Sequence, residues 1–206
     1  MNKISTIKKY DYIANIYDFI SNGSEKRWFS KWKKQYFSPL KGNILEVGIG
    51  TGRSIEYYNN EAKVTGIDFS EKMLQKAEEK LDKLGIENII LKKGDVENLE
   101  FEDNSFDYVV TSCVFCSVPN PIKGLKEIKR VLKPTGELIM IEHMLSKNPI
   151  IALLEYIHNP ITKFITGANI NRDTKQNILD SGMKIIKEKN LALYDVFRLF
   201  IAEKSD

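Results

Sequence analysis

Asn43-Ile44-Leu45-Glu46-Val47-Gly48-Ile49-Gly50-Thr51-Gly52 is a short apolar run that breaks into three alternating glycines. An apolar run of this length bounded by glycine reads as a buried strand, Asn43 to Val47, opening into a loop. Glycines in such a loop take positive φ and let the backbone approach a ligand closely. Outward from it, a short helix from about Thr51 to Asn59 and a second strand from Ala62 to Asp68 are expected. Ser70 is placed to cap a helix whose Met73, Leu74, Ala77, Leu81 and Leu84 share one face and which stops at Gly85. Strand, helix and strand make one βαβ unit.

The alternation continues along the chain. Ile89 to Lys92 reads as a third strand and Phe106 to Ser112 as a fourth, expected at the centre of the sheet. Asn120 caps a helix with Pro121 in its first turn and Ile122, Leu125, Ile128 and Leu132 as its buried stripe, stopped by Lys133-Pro134. Glu137 to Ile141 is a fifth strand, apolar enough to be buried on both faces. Helical periodicity runs from Pro149 to about Phe164, and another helix from near Asp173 to Gly182. Lys184 to Leu191 and Tyr194 to Ala202 form a closing hairpin. The expected fold is α/β, doubly wound, with a mostly parallel seven-stranded sheet and a C-terminal antiparallel hairpin. One domain, residues 1–206, is expected. It carries a helical N-terminal extension at 1–40 over the ligand site and a helical insertion at 149–172 covering a second substrate.

Composition narrows the class. Hydrophobic residues at 42% and charged ones at 29% exclude disordered and collagen-like chains. Thirty-one basic against 28 acidic residues leave +3, too little to demand nucleic acid or an anionic surface. Asp11 and Asp18 interrupt the N-terminal region where a signal peptide needs an unbroken apolar stretch. Cys113 and Cys116 are too few for a disulfide framework. A reducing, cytoplasmic setting is expected.

The glycine loop suits a nucleoside ligand, because Asp68, twenty residues after Gly48, ends the second strand where a carboxylate can take ribose hydroxyls. A helix cap is its plainer role. A dinucleotide fingerprint would place a third glycine where Arg53 stands, which disfavours NAD. With Glu46 two residues before Gly48, the motif resembles motif I of class I S-adenosylmethionine-dependent methyltransferases. Gly94-Asp95-Val96, Phe106-Asp107-Tyr108-Val109-Val110 and Leu132-Lys133-Pro134-Thr135-Gly136-Glu137-Leu138 extend the resemblance. Thr135 replaces a usual glycine, and Gly136 is left to supply the positive φ of that turn. Cys113-Val114-Phe115-Cys116-Ser117-Val118, Glu142-His143 and Gly167-Ala168-Asn169-Ile170-Asn171-Arg172 resemble the small thiol methyltransferases. That branch is similar to the phospholipid N-methyltransferases and the ubiquinone and menaquinone methyltransferases.

The resemblance implies S-adenosylmethionine as cofactor. It points to Tyr17, Glu46, Gly48, Gly50, Thr51, Gly52, Asp68, Phe69, Met73, Gly94, Asp95, Val96, Ser112, Cys113 and Ser117 as its contacts. The N-terminal tyrosines Tyr10, Tyr12 and Tyr17 fit a cover over the cofactor or plain helix packing, with Tyr17 preferred as the contact. The acceptor is expected to be small or lipophilic, a thiol in first place. N-methylation of a phospholipid and O- or C-methylation of a quinol are the alternatives. A nicotinamide oxidoreductase and a cofactor-binding protein without turnover are readings from other classes. Ser112-Cys113-Val114-Phe115 stands where nucleic-acid base methyltransferases often carry Asn/Asp-Pro-Pro-aromatic, so no nucleic-acid partner is expected.

His143, just past the fifth strand, is the candidate base; a satisfied structural histidine is the plainer role. Cys113 and Cys116 read as pocket lining, since zinc needs about four ligands and only His143 and His158 add ring nitrogens. No metal is expected. In Glu25 to Phe37, Trp28, Trp32 and Tyr36 share a stripe while Lys26, Arg27, Lys31, Lys33 and Lys34 lie elsewhere. Core packing is the first account of that stripe and peripheral membrane contact the second. The oligomeric state is left open.

Overall fold

The computed structural model describes residues 7–12, 14, 23, 25–165 and 167–205. Tyr17 lies outside the described residues. A π-helical turn, Glu25–Phe29, leads into α1, Ser30–Tyr36. The chain continues through β1 (Gly42–Val47), β2 (Ala62–Asp68), α2 (Glu71–Leu84), β3 (Ile89–Lys93) and β4 (Phe106–Ser112). Then follow α3 (Pro121–Val131), β5 (Leu132–His143), α4 (Pro149–Ile165), α5 (Thr174–Asp180), β6 (Met183–Ala192) and β7 (Phe197–Lys204).

The seven strands lie in the order β3-β2-β1-β4-β5-β7-β6, with β4 in the middle as expected. The first five pair in parallel, and β7 is antiparallel to both β5 and β6. Period-two alternation divides the core between the faces. Leu45, Val47, Val109, Leu138 and Met140 pack with Leu125, Ile128 and Val131 of α3 and Ile178 of α5. Ile44, Val110, Ile139 and Ile141 pack with Trp32 of α1 and Leu74 and Ala77 of α2. The anticipated caps form: Ser70 Oγ accepts from the Met73 N–H, Asn120 Oδ1 from that of Lys123, and Gly85 ends α2 at φ +63°. Leu84, expected on the buried face of α2, is 41% exposed.

Two expectations need correction, and one pair of alternatives is decided. The Thr51–Asn59 helix reduces to one 3₁₀ turn, Ile55–Tyr57, because the Ser54 and Tyr58 hydroxyls are spent on the Glu46 carboxylate. Residues 132–136 do not form a glycine turn; they belong to β5, and Gly136 is not left-handed. A side chain there would stand 3.0 Å from the carbonyl oxygens of Phe106 and Asp107, where the β4–β5 register shifts. Close backbone approach, not positive φ, is what requires glycine. Finally, the aromatic stripe of residues 25–37 faces inward rather than toward a membrane. Trp28 stacks on Trp32 at 6.4 Å, both pack on Phe197, and even Lys33 is buried.

Gly52 shows what the loop after β1 tolerates. At φ +74° a Cβ would meet Ile55 Cδ1 at 2.4 Å and Ala77 at 3.2 Å. Gly52→Ala is expected to lose about 3 kcal/mol of stability, from left-handed strain plus overpacking against α2. Urea unfolding measures it as a lowered midpoint at unchanged slope, and an unmoved midpoint contradicts this packing.

Candidate active site

The carboxyl ends of β1, β2 and β4 and the residues after β3 line a continuous cleft, at the point where the strand order reverses. One end is a mostly apolar slot lined by Val47, Ile67, Phe69, Val96, Val118 and Pro119 together with Asp68, Gly94 and Asp95. Its middle is bordered by Gly48, Gly50, Asp68, Phe69, Met73, Ser112, Cys113 and Ser117. The far end is wider and takes in Glu46, Thr51, Arg53, Lys33 and His143 between the rings of Phe29 and Phe197.

The carboxylates of Asp68, Asp95 and Glu46 each have an identifiable support. Asp68 is buried and accepts from the backbone N–H groups of Gly50 at 3.0 Å and Ser70 at 2.9 Å. Burial outweighs these bonds and pushes its pKa up to about 6. The Asp95 carboxylate closes its own turn through the Glu97 N–H at 3.0 Å. Glu46 is turned toward Ser54 at 2.6 Å and Tyr58 at 2.9 Å, so its first task is to hold the stretch after the glycine loop. Gly52 packs under the loop and lines none of the cleft, while the other described cofactor contacts named from the sequence do; Cys113 lines it as expected, but Cys116 is buried and does not. Thr51 is buried at the wide end.

Of the N-terminal tyrosines, Tyr10 reaches the cleft: its hydroxyl lies 2.7 Å from Ser117 Oγ and its ring meets Phe69 edge-on at 5.6 Å. Tyr12 is 84% exposed. Lys33, Arg53, Ile170 and Phe197 were not singled out from sequence as cleft residues. Arg53 follows Gly52 directly, so its adjacency to the loop was the one available signal; the others arrive by tertiary folding.

The loop after β4 is held from three sides. Glu142, fully buried, accepts from Thr111 Oγ1 at 2.9 Å and from the N–H groups of Val114 at 3.1 Å and Phe115 at 3.3 Å. Arg172 donates to the carbonyls of Phe115 and Val118, and the Asn169 N–H donates to that of Cys116. Burial raises the pKa of Glu142 to about 7 and of Cys116 to about 12 and pushes the Cys113 thiol well above its ordinary value, so both free thiols stay protonated. At the wide end His143 lies beside Ile170, and its Nε2 is 3.7 Å from Glu155 Oε1. Its buried Nδ1 has no partner among the described residues. Burial lowers its pKa to about 4, so the ring is neutral near pH 7.

A family profile described as a methyltransferase domain matches residues 41–189. The chain belongs to that methyltransferase family. A phosphatidylethanolamine N-methyltransferase of Cereibacter sphaeroides is 36% identical over 140 residues, covering 67% of this chain and 68% of that one. A demethylmenaquinone methyltransferase of Staphylococcus epidermidis is 36% identical over 166 residues, covering 77% of this chain and 64% of its own. Among solved structures, the SAM-dependent methyltransferases of Thermotoga maritima (TM-score 0.72, 20% identity, 96% and 99% covered) and Aquifex aeolicus (0.64, 22%, 100% of each) share the fold.

S-adenosylmethionine is the cofactor of this fold and family, and the cleft is compatible with it. A Cβ on Gly50 would have nothing nearer than the Gly48 carbonyl at 4.0 Å. The loop therefore presents open space beside the Asp68 carboxylate, between an apolar slot and a wide end containing two cationic side chains.

The buried Glu142 gives a pH test of this architecture. Folded, it holds its proton to about pH 7, whereas an ordinary glutamate loses it near 4.5. The folded state thus binds more protons across that window, and this group's stabilising contribution declines as pH rises through it. Glu142→Gln, which stays neutral, is expected to flatten the fall of the urea midpoint between pH 5 and 8. A variant that keeps the wild-type slope contradicts the assignment.

Proposed function

We propose that this methyltransferase acts on a lipophilic acceptor that must give up a proton in the reaction, as an aminophospholipid amine or a quinol methylated on oxygen or ring carbon does. The observation that carries this is His143, which lines the wide end of the cleft and is held neutral near pH 7 by burial. A thiolate needs no such group, whereas an O–H or N–H acceptor does. The aromatic walls, Phe29 and Phe197, suit an apolar acceptor. The named activities of the two relatives, on phosphatidylethanolamine and demethylmenaquinone, support the same reading. The thiol alternative rests on the Cys-Val-Phe-Cys-Ser-Val, Glu-His and Gly-Ala-Asn-Ile-Asn-Arg segments. Their Glu142, Asn169 and Arg172 side chains or backbone groups are engaged in bracing the loop after β4, a task independent of acceptor chemistry.

Bound S-adenosylmethionine supplies an electrophilic methyl group on a sulfonium centre. Asp68 is assigned to the ribose hydroxyls, with Asp95, Val96 and Phe69 around the adenine. Gly48 and Gly50 give the backbone approach, Ser112, Cys113, Ser117 and Met73 line the middle, and Lys33 and Arg53 serve the amino-acid carboxylate. The fold aligns acceptor and methyl donor, and burial of the reacting centre excludes water. His143 is assigned to accept the acceptor's proton, with Glu155 beside its Nε2.

Removing the Asp68 carboxylate removes a charged hydrogen-bond acceptor worth about 1.5–3 kcal/mol. Asp68→Ala is expected to weaken S-adenosylmethionine roughly tenfold to a hundredfold in calorimetry, and Asp95→Ala less. Unchanged affinity in a folded Asp68 variant contradicts the ribose assignment.

An acceptor panel with labelled S-adenosylmethionine tests the chemistry. Methylation of a demethylated quinol or an aminophospholipid is expected, with His143→Ala lowering kcat about 10²-fold. Because His143 is neutral well below pH 6, the wild-type rate should show no histidine limb between pH 5.5 and 7. Turnover of an aliphatic thiol alone, untouched by His143→Ala, overturns this reading in favour of S-methylation.

A further inference from the structure

In α4, the polar side faces the protein and the apolar side faces outward. Its only carboxylate, Glu155, is buried and accepts from the Ser146 N–H at 2.8 Å. Asn159, on the same side, accepts from the Ile170 N–H at 2.9 Å. Asn148 Oδ1 accepts from the N–H groups of Ile150 and Ile151 and starts the helix. Ile150, Leu153, Leu154, Ile157, Ile161, Phe164 and Ile165 are all more than half exposed. At the 100° step of a helix these residues fall in a stripe about 120° wide, opposite Glu155. Single exposed apolar residues are ordinary, but a contiguous stripe marks an interaction surface.

We infer that this stripe is the seat of the enzyme on an anionic lipid bilayer, with α4 lying in the interface plane above the acceptor end of the cleft. Three observations select lipid. The exposed charge on the helix and the one just before it are basic, Lys163 in its last turn and Lys147, and the Lys9 ammonium binds the Lys163 carbonyl beside Phe164. No carboxylate of α4 is exposed to oppose an anionic surface. The inner side of the same helix reaches the acceptor wall, Glu155 lying 3.7 Å from His143, so a bilayer-seated α4 places the cleft beside the lipid phase. Seventeen residues span about 25 Å, and no described helix is long and apolar enough to cross a membrane. An in-plane seat, with the apolar side sunk about 5–10 Å, is the geometry left.

The inference extends the lipophilic-acceptor reading, and its test is independent of turnover. Full-length protein is sedimented with vesicles of phosphatidylcholine alone and of phosphatidylcholine with phosphatidylglycerol. Binding to the anionic vesicles is expected, weakened by salt and lost in Leu153→Ser/Ile157→Ser/Ile161→Ser/Phe164→Ser. The milder Lys147→Glu/Lys163→Glu variant should bind about tenfold or more weakly, with unchanged melting temperature. Three results overturn the inference: no binding of wild type to either vesicle; a wild-type dimer in light scattering that the serine variant dissociates, with no vesicle binding, which gives the stripe to a second copy; or a serine variant that melts well below wild type without lipid while vesicle binding is unchanged, which means the chain itself covers the stripe. Vesicle binding by an enzyme that methylates only a soluble thiol sustains the seat and removes the acceptor reading. Methylation of a lipophilic acceptor in detergent without vesicle binding does the reverse.

Discussion

β1 lies between β2 and β4, and the chain leaving β1 turns toward one side of the sheet while the chain leaving β4 turns toward the other. Two parallel neighbours whose continuations part in this way cannot close the gap above them, and a cleft is unavoidable at their carboxyl ends. Each cleft residue owes its position to that gap. Asp68 sits at its β2 side, the glycine loop at its floor, and the segment 113–118 at its β4 side. Lining such a gap with polar side chains requires partners for them, and the Gly50 and Ser70 amides on Asp68 and the Val114 and Phe115 amides on Glu142 provide these.

The alternation of strands and helices, the caps and the meeting of Asp68 with the glycine loop were legible because each is written in a short window of sequence. Ser70, Asn120 and Gly85 act on atoms within four residues of themselves. The misreadings share a physical cause. Residues 51–59 have passable helical pattern, yet Ser54 and Tyr58 do more by satisfying a buried carboxylate than they would in a helix. Gly136 was assigned a conformational reason when the true one is the β4 backbone 3.0 Å away, which no local pattern records. Lys33, Ile170 and Phe197 come to the cleft from three separated segments.

Amphipathicity was the subtlest of these lessons. A helical stripe reveals that two sides differ; it does not reveal which one the protein covers. Trp28 and Trp32 beside a run of lysines allowed either core packing or an interface and are packed on Phe197, while the stripe of α4 points outward because Glu155 and Asn159 are the groups the fold needs. The loop after β4 is similar in kind. Segments that resemble one branch of methyltransferases turn out to brace a wall, and a wall can be shared by enzymes with different acceptors.

The two free margins of the sheet, β3 and β6, carry a further consequence. An unpaired strand invites another chain to add to it, and such addition must bring its side chains against those already there. The outermost strands here present Lys92 and Lys93 on one margin and Lys184, Lys187 and Lys189 on the other, all exposed. A second copy aligning margin to margin would crowd ammonium groups at strand spacing, where like charges repel. The sheet is thereby discouraged from growing into its neighbours, and a molecule with a greasy outer helix keeps its backbone hydrogen-bonding groups out of the routes by which exposed strands aggregate.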